Sequence, residues 1–133
     1  MRFMLFIYPP TPEDANWEPT TEDVEAMTRY NESLTKAGVL LALDGLHPIS
    51  KGARITFEGG KPNVTDGPYT EAKEVVGGYW LIDVKSKEEA VEWASRIPGA
   101  EGDIVEVRQV AEMSDFSEEV QAVDMSGVKP SEQ

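Results

Sequence analysis

An α+β fold in the order β-α-β, inserted hairpin, β-α-β is what this 133-residue sequence predicts. Three observations carry the expectation. Two runs, residues 3–8 and 78–84, are apolar at nearly every position, as strands covered on both faces are. Two stretches, opening at Thr20 and at Ser86, begin with helix caps and continue with apolar residues at helical spacing. Between them an alternating segment folds back on itself at Gly59-Gly60, a tight hairpin signal.

Residues 3–8 (FMLFIY) read as a central strand, followed by a proline-rich loop that cannot hold a ladder. Thr20 and Asp23 mark a helix start. Val24, Met27, Leu34 and Ala37 recur at helical spacing with Tyr30 nearby, Lys36 sits in the last turn, and Gly38 stands just past the end. Residues 39–43 form a second apolar run, leading into the turn Asp44-Gly45-Leu46-His47-Pro48. Residues 54–58 and 61–65 pair across Gly59-Gly60, and Asp66-Gly67-Pro68 makes another turn. Residues 78–84 are a strand. Ser86 and Glu89 form a capping box, and Ala90, Trp93, Ala94 and Ile97 share one face of the helix that Pro98-Gly99 ends. Residues 104–110 are the last strand. The folded domain is expected over residues 1–113. Residues 114–133 are polar and acidic and read as a mobile tail or a partly helical arm.

This order is the split βαβ, ferredoxin-like plan. Two helices cover only one face of its sheet, yet the strands at 3–8 and 78–84 are apolar on both. A second copy of the same sheet is the economical cover, so a homodimer with sheets packed face to face is expected.

Composition narrows the function classes. With 25 acidic and 12 basic residues the formal charge is -13, which repels phosphate backbones and anionic bilayers. Neither direct nucleic-acid binding nor membrane attachment is expected. There are no cysteines, which excludes a disulfide framework, a thiolate metal site and a Cys nucleophile. Residues 3–8 fall far short of the roughly 20 needed to span a bilayer and lack a small-residue cleavage site, so a cytoplasmic location is expected. The sequence has no G-x-G-x-x-G loop, no histidine cluster and no calcium-loop spacing, so no cofactor and no metal are expected.

Few side chains suit chemistry. His47 is the single histidine, and its ordinary pKa of about 6.5 fits proton transfer near neutrality. It is either a catalytic base or a turn residue that packs or faces water. Asp66 either shapes its turn by accepting backbone N–H bonds or orients His47. Glu71 and Lys73, followed by Glu74, are either a solvated loop or ligand contacts. In the last strand Glu106 and Arg108 share a face with Ile104 and Val110, while Val105 and Val107 share the other. The valines suit the helix side. Glu106 and Arg108 then face the dimer side, either as an ion pair or in a cleft where Arg108 meets an anionic ligand. Tyr8 lines the same cleft or serves as an ordinary core aromatic. His47, Asp66 and Arg108 are expected to converge on one concave, partly polar region near the dimer interface.

Taken together, MLFIYPP, LDGLHP, VTDGPYTEAKEVVGGYWLIDV, EEAVEWASRIP and VEVRQV resemble the YCII-related, DGPF-domain family. Its eponymous motif stands here as Asp66-Gly67-Pro68-Tyr69, with tyrosine where phenylalanine is usual. The resemblance implies a ferredoxin-like fold assembled as a dimeric α/β barrel. In some YCII proteins it implies a His-Asp pair, and one branch removes chloride from a chlorinated hydroxyquinol. That histidine lies early in the chain, where this sequence has none, so the pair does not transfer. DGPF members often lie beside genes for extracytoplasmic-function sigma factors. Two functions follow as expectations. One is a small-molecule-handling protein, an acid-base enzyme of the lyase type acting on a small anionic or phenolic substrate. The other is a non-catalytic ligand-binding or sigma-factor-associated stress accessory.

Overall fold

In the computed structural model the described residues are 1–10, 18–67 and 74–130. Four strands, β1 (Arg2–Tyr8), β2 (Leu40–Gly45), β5 (Gly78–Asp83) and β6 (Ile104–Gln109), form one antiparallel sheet in the order β2-β5-β1-β6. The strands β3 (Ala53–Glu58) and β4 (Lys61–Asp66) form a separate two-stranded hairpin. The fold is α+β, and its connectivity is consistent with the expected ferredoxin-like plan.

Local chemistry explains the helices. In α1 (Thr21–Lys36) the Thr20 hydroxyl accepts from the Asp23 amide at 3.1 Å, and Glu22 and Asp23 sit at the positive end of the helix dipole. At the other end Gly38 adopts φ 73°, and the Gly38 and Val39 amides donate to the carbonyls of Thr35 and Leu34. This closure satisfies carbonyls that the helix leaves open, and it places Val39 in the same core cluster as Leu34. In α2 (Lys87–Ser95) Ser86 accepts from the Glu89 amide as expected. The Glu89 carboxylate returns to the Lys85 amide rather than to that of Ser86.

The core lies between one sheet face and these two helices. Phe3 and Leu5 of β1 and Trp80 and Ile82 of β5 meet Tyr30 and Leu34 of α1 and Ala90 of α2, with Ile97 just beyond it. Burying each large aliphatic side chain contributes about 1.5–3 kcal/mol. Polar atoms inside are paired. The Tyr30 hydroxyl donates to the Trp93 carbonyl at 2.8 Å, and the Trp80 indole N–H donates to Asn31 at 2.8 Å. The rings of Tyr30 and Trp80 meet edge to face with centroids 5.8 Å apart. Burial pushes the Tyr30 phenol up to about 12.

The opposite sheet face carries Met4, Phe6 and Tyr8 of β1, Tyr79 and Leu81 of β5, and Glu106 and Arg108 of β6, as the register requires. None of these is fully buried. After β6, Glu112 receives a two-pronged bond from the Arg2 guanidinium, at 2.6 and 2.9 Å. The guanidinium holds the Glu112 carboxyl below the usual range, so this tether is present above that range and lost as pH falls through the depressed value. Beyond it the tail forms a short turn (Met113–Asp115) and α3 (Glu118–Gln121). The tail is not purely polar, as its charges suggest: Phe116, Val120, Val123, Met125 and Val128 are all exposed apolar side chains on it.

The base of the hairpin is fixed by contact rather than by turn chemistry alone. The Gly67 amide donates to the Gly52 carbonyl at 2.9 Å. A Cβ at Gly67 would fall 1.6 Å from the Ile49 carbonyl oxygen, a backbone atom that cannot step aside. Gly67→Ala is therefore expected to cost about 1–3 kcal/mol, as overpacking does. By contrast Gly127→Ala, with nothing within 4 Å, should stay within about 0.5 kcal/mol of the parent. Chemical denaturation of both variants checks this, and equal midpoints would refute the contact.

Candidate functional site

Alternation along β1 and β6 places Tyr8, Glu106 and Arg108 on the sheet face away from the helices. Phe6 stands directly opposite Glu106, and Met4 opposite Arg108. The Tyr8 hydroxyl donates to Glu106 Oε1 at 2.9 Å. That bond, with partial burial and the nearby charges of Glu106 and Glu74, raises the Tyr8 pKa, and Arg108 opposes the rise. Glu106 is half-buried and Arg108 exposed, and Arg108 makes no ion pair among the described residues. The two do not pair with each other: Tyr8 takes the Glu106 carboxylate instead.

A matching pair occupies the same face toward the opposite edge of the sheet. Tyr79 of β5 stands opposite Phe6 of β1 and opposite Asp44 of β2, and its hydroxyl donates to Asp44 Oδ2 at 2.8 Å. This bond raises the Tyr79 pKa. One band across the sheet thus reads Asp44, Tyr79, Phe6, Glu106, with Tyr8 beside Glu106 at the sheet end. Two phenol–carboxylate pairs flank a phenylalanine, and Met4 and Leu81 extend its apolar floor. Sequence reasoning included Tyr8 and Glu106 but missed Tyr79 and Asp44. The period-2 alternation of residues 78–84 places Tyr79 and Leu81 on one face and was a signal for Tyr79 alone, not for its partner Asp44.

Close backbone approach builds this end of the sheet. The Leu46 amide donates to the Gly77 carbonyl at 2.9 Å, and the Gly77 amide donates to the Ile7 carbonyl at 2.7 Å. A Cβ on Gly78 would meet the Asp44 carbonyl oxygen at 3.0 Å, and one on Gly77 would meet the Pro9 ring at 3.0 Å. The glycine pair therefore allows close backbone approach where β5 begins. His47 follows Leu46 directly, so its backbone leaves β2 at the sheet end where Tyr8 and Tyr79 stand. Asp66 ends β4 opposite Ala53. Next to it Gly67 packs on the turn at Ile49–Lys51, which begins two residues after His47. Both His47 and Asp66 are exposed. Glu71 and Lys73 lie outside the described residues. Among the described residues no three His, Cys, Asp or Glu side chains cluster as a metal site would need. No helix among them is long and apolar enough to cross a membrane.

The phenol pairs can be tested directly. Glu106→Ala removes the hydrogen-bond acceptor and the charge that raise Tyr8, so one tyrosine should titrate at lower pH than in the parent, toward the ordinary value near 10. Because the folded pKa is raised, the bond's contribution is present below the ordinary value and is lost as pH rises through the raised one. Ultraviolet titration of the phenolate band reads the shift. An unchanged curve would mean that the Tyr8–Glu106 bond is absent in solution.

A family model for the YCII-related domain matches residues 1–114. An uncharacterized protein of Rhizobium meliloti (strain 1021) is 32% identical over 83 residues, covering 62% of this chain and 64% of that relative. The match therefore spans a little under two thirds of the relative's length. Strands β1 to β6 and helices α1 and α2 fall within the matched residues. The chain belongs to the YCII-related domain family.

Proposed function

We propose that this chain is a small-molecule-handling protein whose ligand lies against the sheet face opposite the helices. The observation that carries the reading is the Tyr8–Glu106 hydrogen bond beside Arg108, on a half-buried face with an apolar floor. Such a face suits a small ring bearing an acidic oxygen. Phe6, Met4 and Leu81 pack the ring. Arg108 meets a carboxylate or phenolate oxygen, since a guanidinium stays charged and offers several donors. The Tyr8–Glu106 pair supplies a donor and an acceptor for a neighbouring hydroxyl. Glu71 and Lys73 are further contacts in this proposal.

Two identical sheets packed on this face would enclose the ligand, so the proposal includes a homodimer of the dimeric α/β-barrel type in the cytoplasm. Its motivation is the set of half-buried apolar residues that α1 and α2 do not cover. In the enzymatic version His47 moves the proton of a lyase-type step and Asp66 orients it. Their exposure favours the second version, a ligand-binding accessory domain without turnover, because general bases work best when shielded from water.

Light scattering over a dilution series should give twice the chain mass, and a stable monomer at micromolar concentration would refute the dimer. For the ligand, thermal-shift screening with small phenols and carboxylic acids should find a binder. Saturation at 100 times Kd stabilises by about 2.7 kcal/mol. Arg108→Ala should weaken that binder about tenfold or more while leaving the unliganded fold nearly unchanged. If affinity is the same in Arg108→Ala and Tyr8→Phe, the site is elsewhere. With a substrate in hand, His47→Asn abolishes turnover in the enzymatic version and only weakens binding in the other.

A further inference from the structure

Two surfaces away from this site expose apolar side chains in groups. The first is the β3–β4 hairpin. Its register pairs Ile55 with Val64 and Phe57 with Pro62, so these four residues share one face. Phe57 is 77% exposed and Val64 66%. A two-stranded hairpin is marginal in water unless such a face is packed on something. The second is the tail, where Phe116, Val120, Val123, Met125 and Val128 are exposed, Val128 at 71%.

The two surfaces differ in charge. The segment from Ile49 through β4 carries Lys51, Arg54 and Lys61 against Glu58 and Asp66. The tail from Glu112 carries Glu112, Asp115, Glu118, Glu119, Asp124 and Glu132 against Lys129. In a chain of formal charge -13 the hairpin itself is balanced, with Lys51 adding a positive charge at its base, and the tail is strongly acidic. Within one chain both remain exposed, so folding of the single copy does not cover either.

We propose that the apolar face of the β3–β4 hairpin docks on the tail of a second copy, over residues 116–128, and that the second copy's hairpin docks reciprocally on the first. Apolar side chains fill the centre of each contact, and the lysines at the hairpin's base and tip meet tail carboxylates at the rim. A reciprocal exchange closes under two-fold symmetry and leaves neither patch free to build filaments. The contact uses residues separate from Tyr8, Glu106 and Arg108, and it stands whether or not the sheet faces pair.

The cysteine-free sequence makes the test simple. Phe57→Cys and Val120→Cys are prepared as separate full-length chains, as are Ile55→Cys and Val123→Cys. All four positions are exposed, so the folds should survive, and circular dichroism confirms it. Each pair is mixed at low ionic strength and oxidised mildly. Docking holds the thiols at high effective concentration, so mixed disulfide dimers should form about tenfold faster than with Val91→Cys, an exposed position on α2. The rate should fall as salt rises. Equal rates for the Val120 or Val123 partner and the Val91 control would overturn the proposal. So would a chain carrying both Phe57→Cys and Val120→Cys that closes on itself as a monomer, since that is docking within one copy.

Discussion

Two helices cannot cover both faces of a four-stranded sheet. That constraint organises the molecule. The covered face holds the core, with Leu5, Leu34 and Ile82 removed from water and, among the described residues, no buried side-chain polar atom left without a partner. The other face is left with residues that are neither fully buried nor plainly surface-like: Met4, Phe6, Leu81 and two tyrosines. A half-covered apolar floor with polar groups at its margin is the kind of surface on which ligands and second subunits are received. The division of labour between stability and recognition follows from having too few helices.

The polar margin is economical. Each tyrosine spends its hydroxyl on a carboxylate, Glu106 or Asp44, so neither acid approaches the apolar floor as an unsolvated charge. Phe6 separates the pairs, and the strand register alone brings them into one band. The Gly77-Gly78 step then lets the chain around Pro9, Asp44 and Gly45 close in on this end of the sheet. The backbone of Leu46 is tied to Gly77 and that of Gly77 to Ile7, so main-chain bonds position the segment that leads into His47.

How much of this could be read from residues depends on the range of the interaction. Thr20, Gly38 and Ser86 announce the helix ends because caps act within a few residues, and they are where expected. The side assigned to Tyr8, Glu106 and Arg108 follows from period-2 alternation, which is also local. The Tyr79–Asp44 pair was out of reach. It depends on the register between β2 and β5, and that register shifts between Leu40 and Ala42. The need for glycine at 67 is likewise a tertiary fact: the turn motif allows other residues, and the Ile49 carbonyl does not. In the tail, a high density of carboxylates hid apolar residues spaced three and four apart at 116, 120 and 123. Whether His47 and Asp66 serve one centre turns on side-chain reach, which spacing along the chain does not encode.

The hairpin is immovable at one end and permissive at the other. At its base Gly67 has no room for a single carbon, while at its tip Gly59 and Gly60 adopt φ of 58° and 78° with nothing within 4 Å of either. Residues added to the tip would project into solvent without disturbing the register below, because each cross-strand pair from Ala53–Asp66 outward is set from the base. The arm can therefore lengthen, shorten or accept a grafted peptide while the sheet beneath it keeps its geometry. Variation among related chains in what they engage has a natural outlet here, at a site where new sequence carries almost no folding cost.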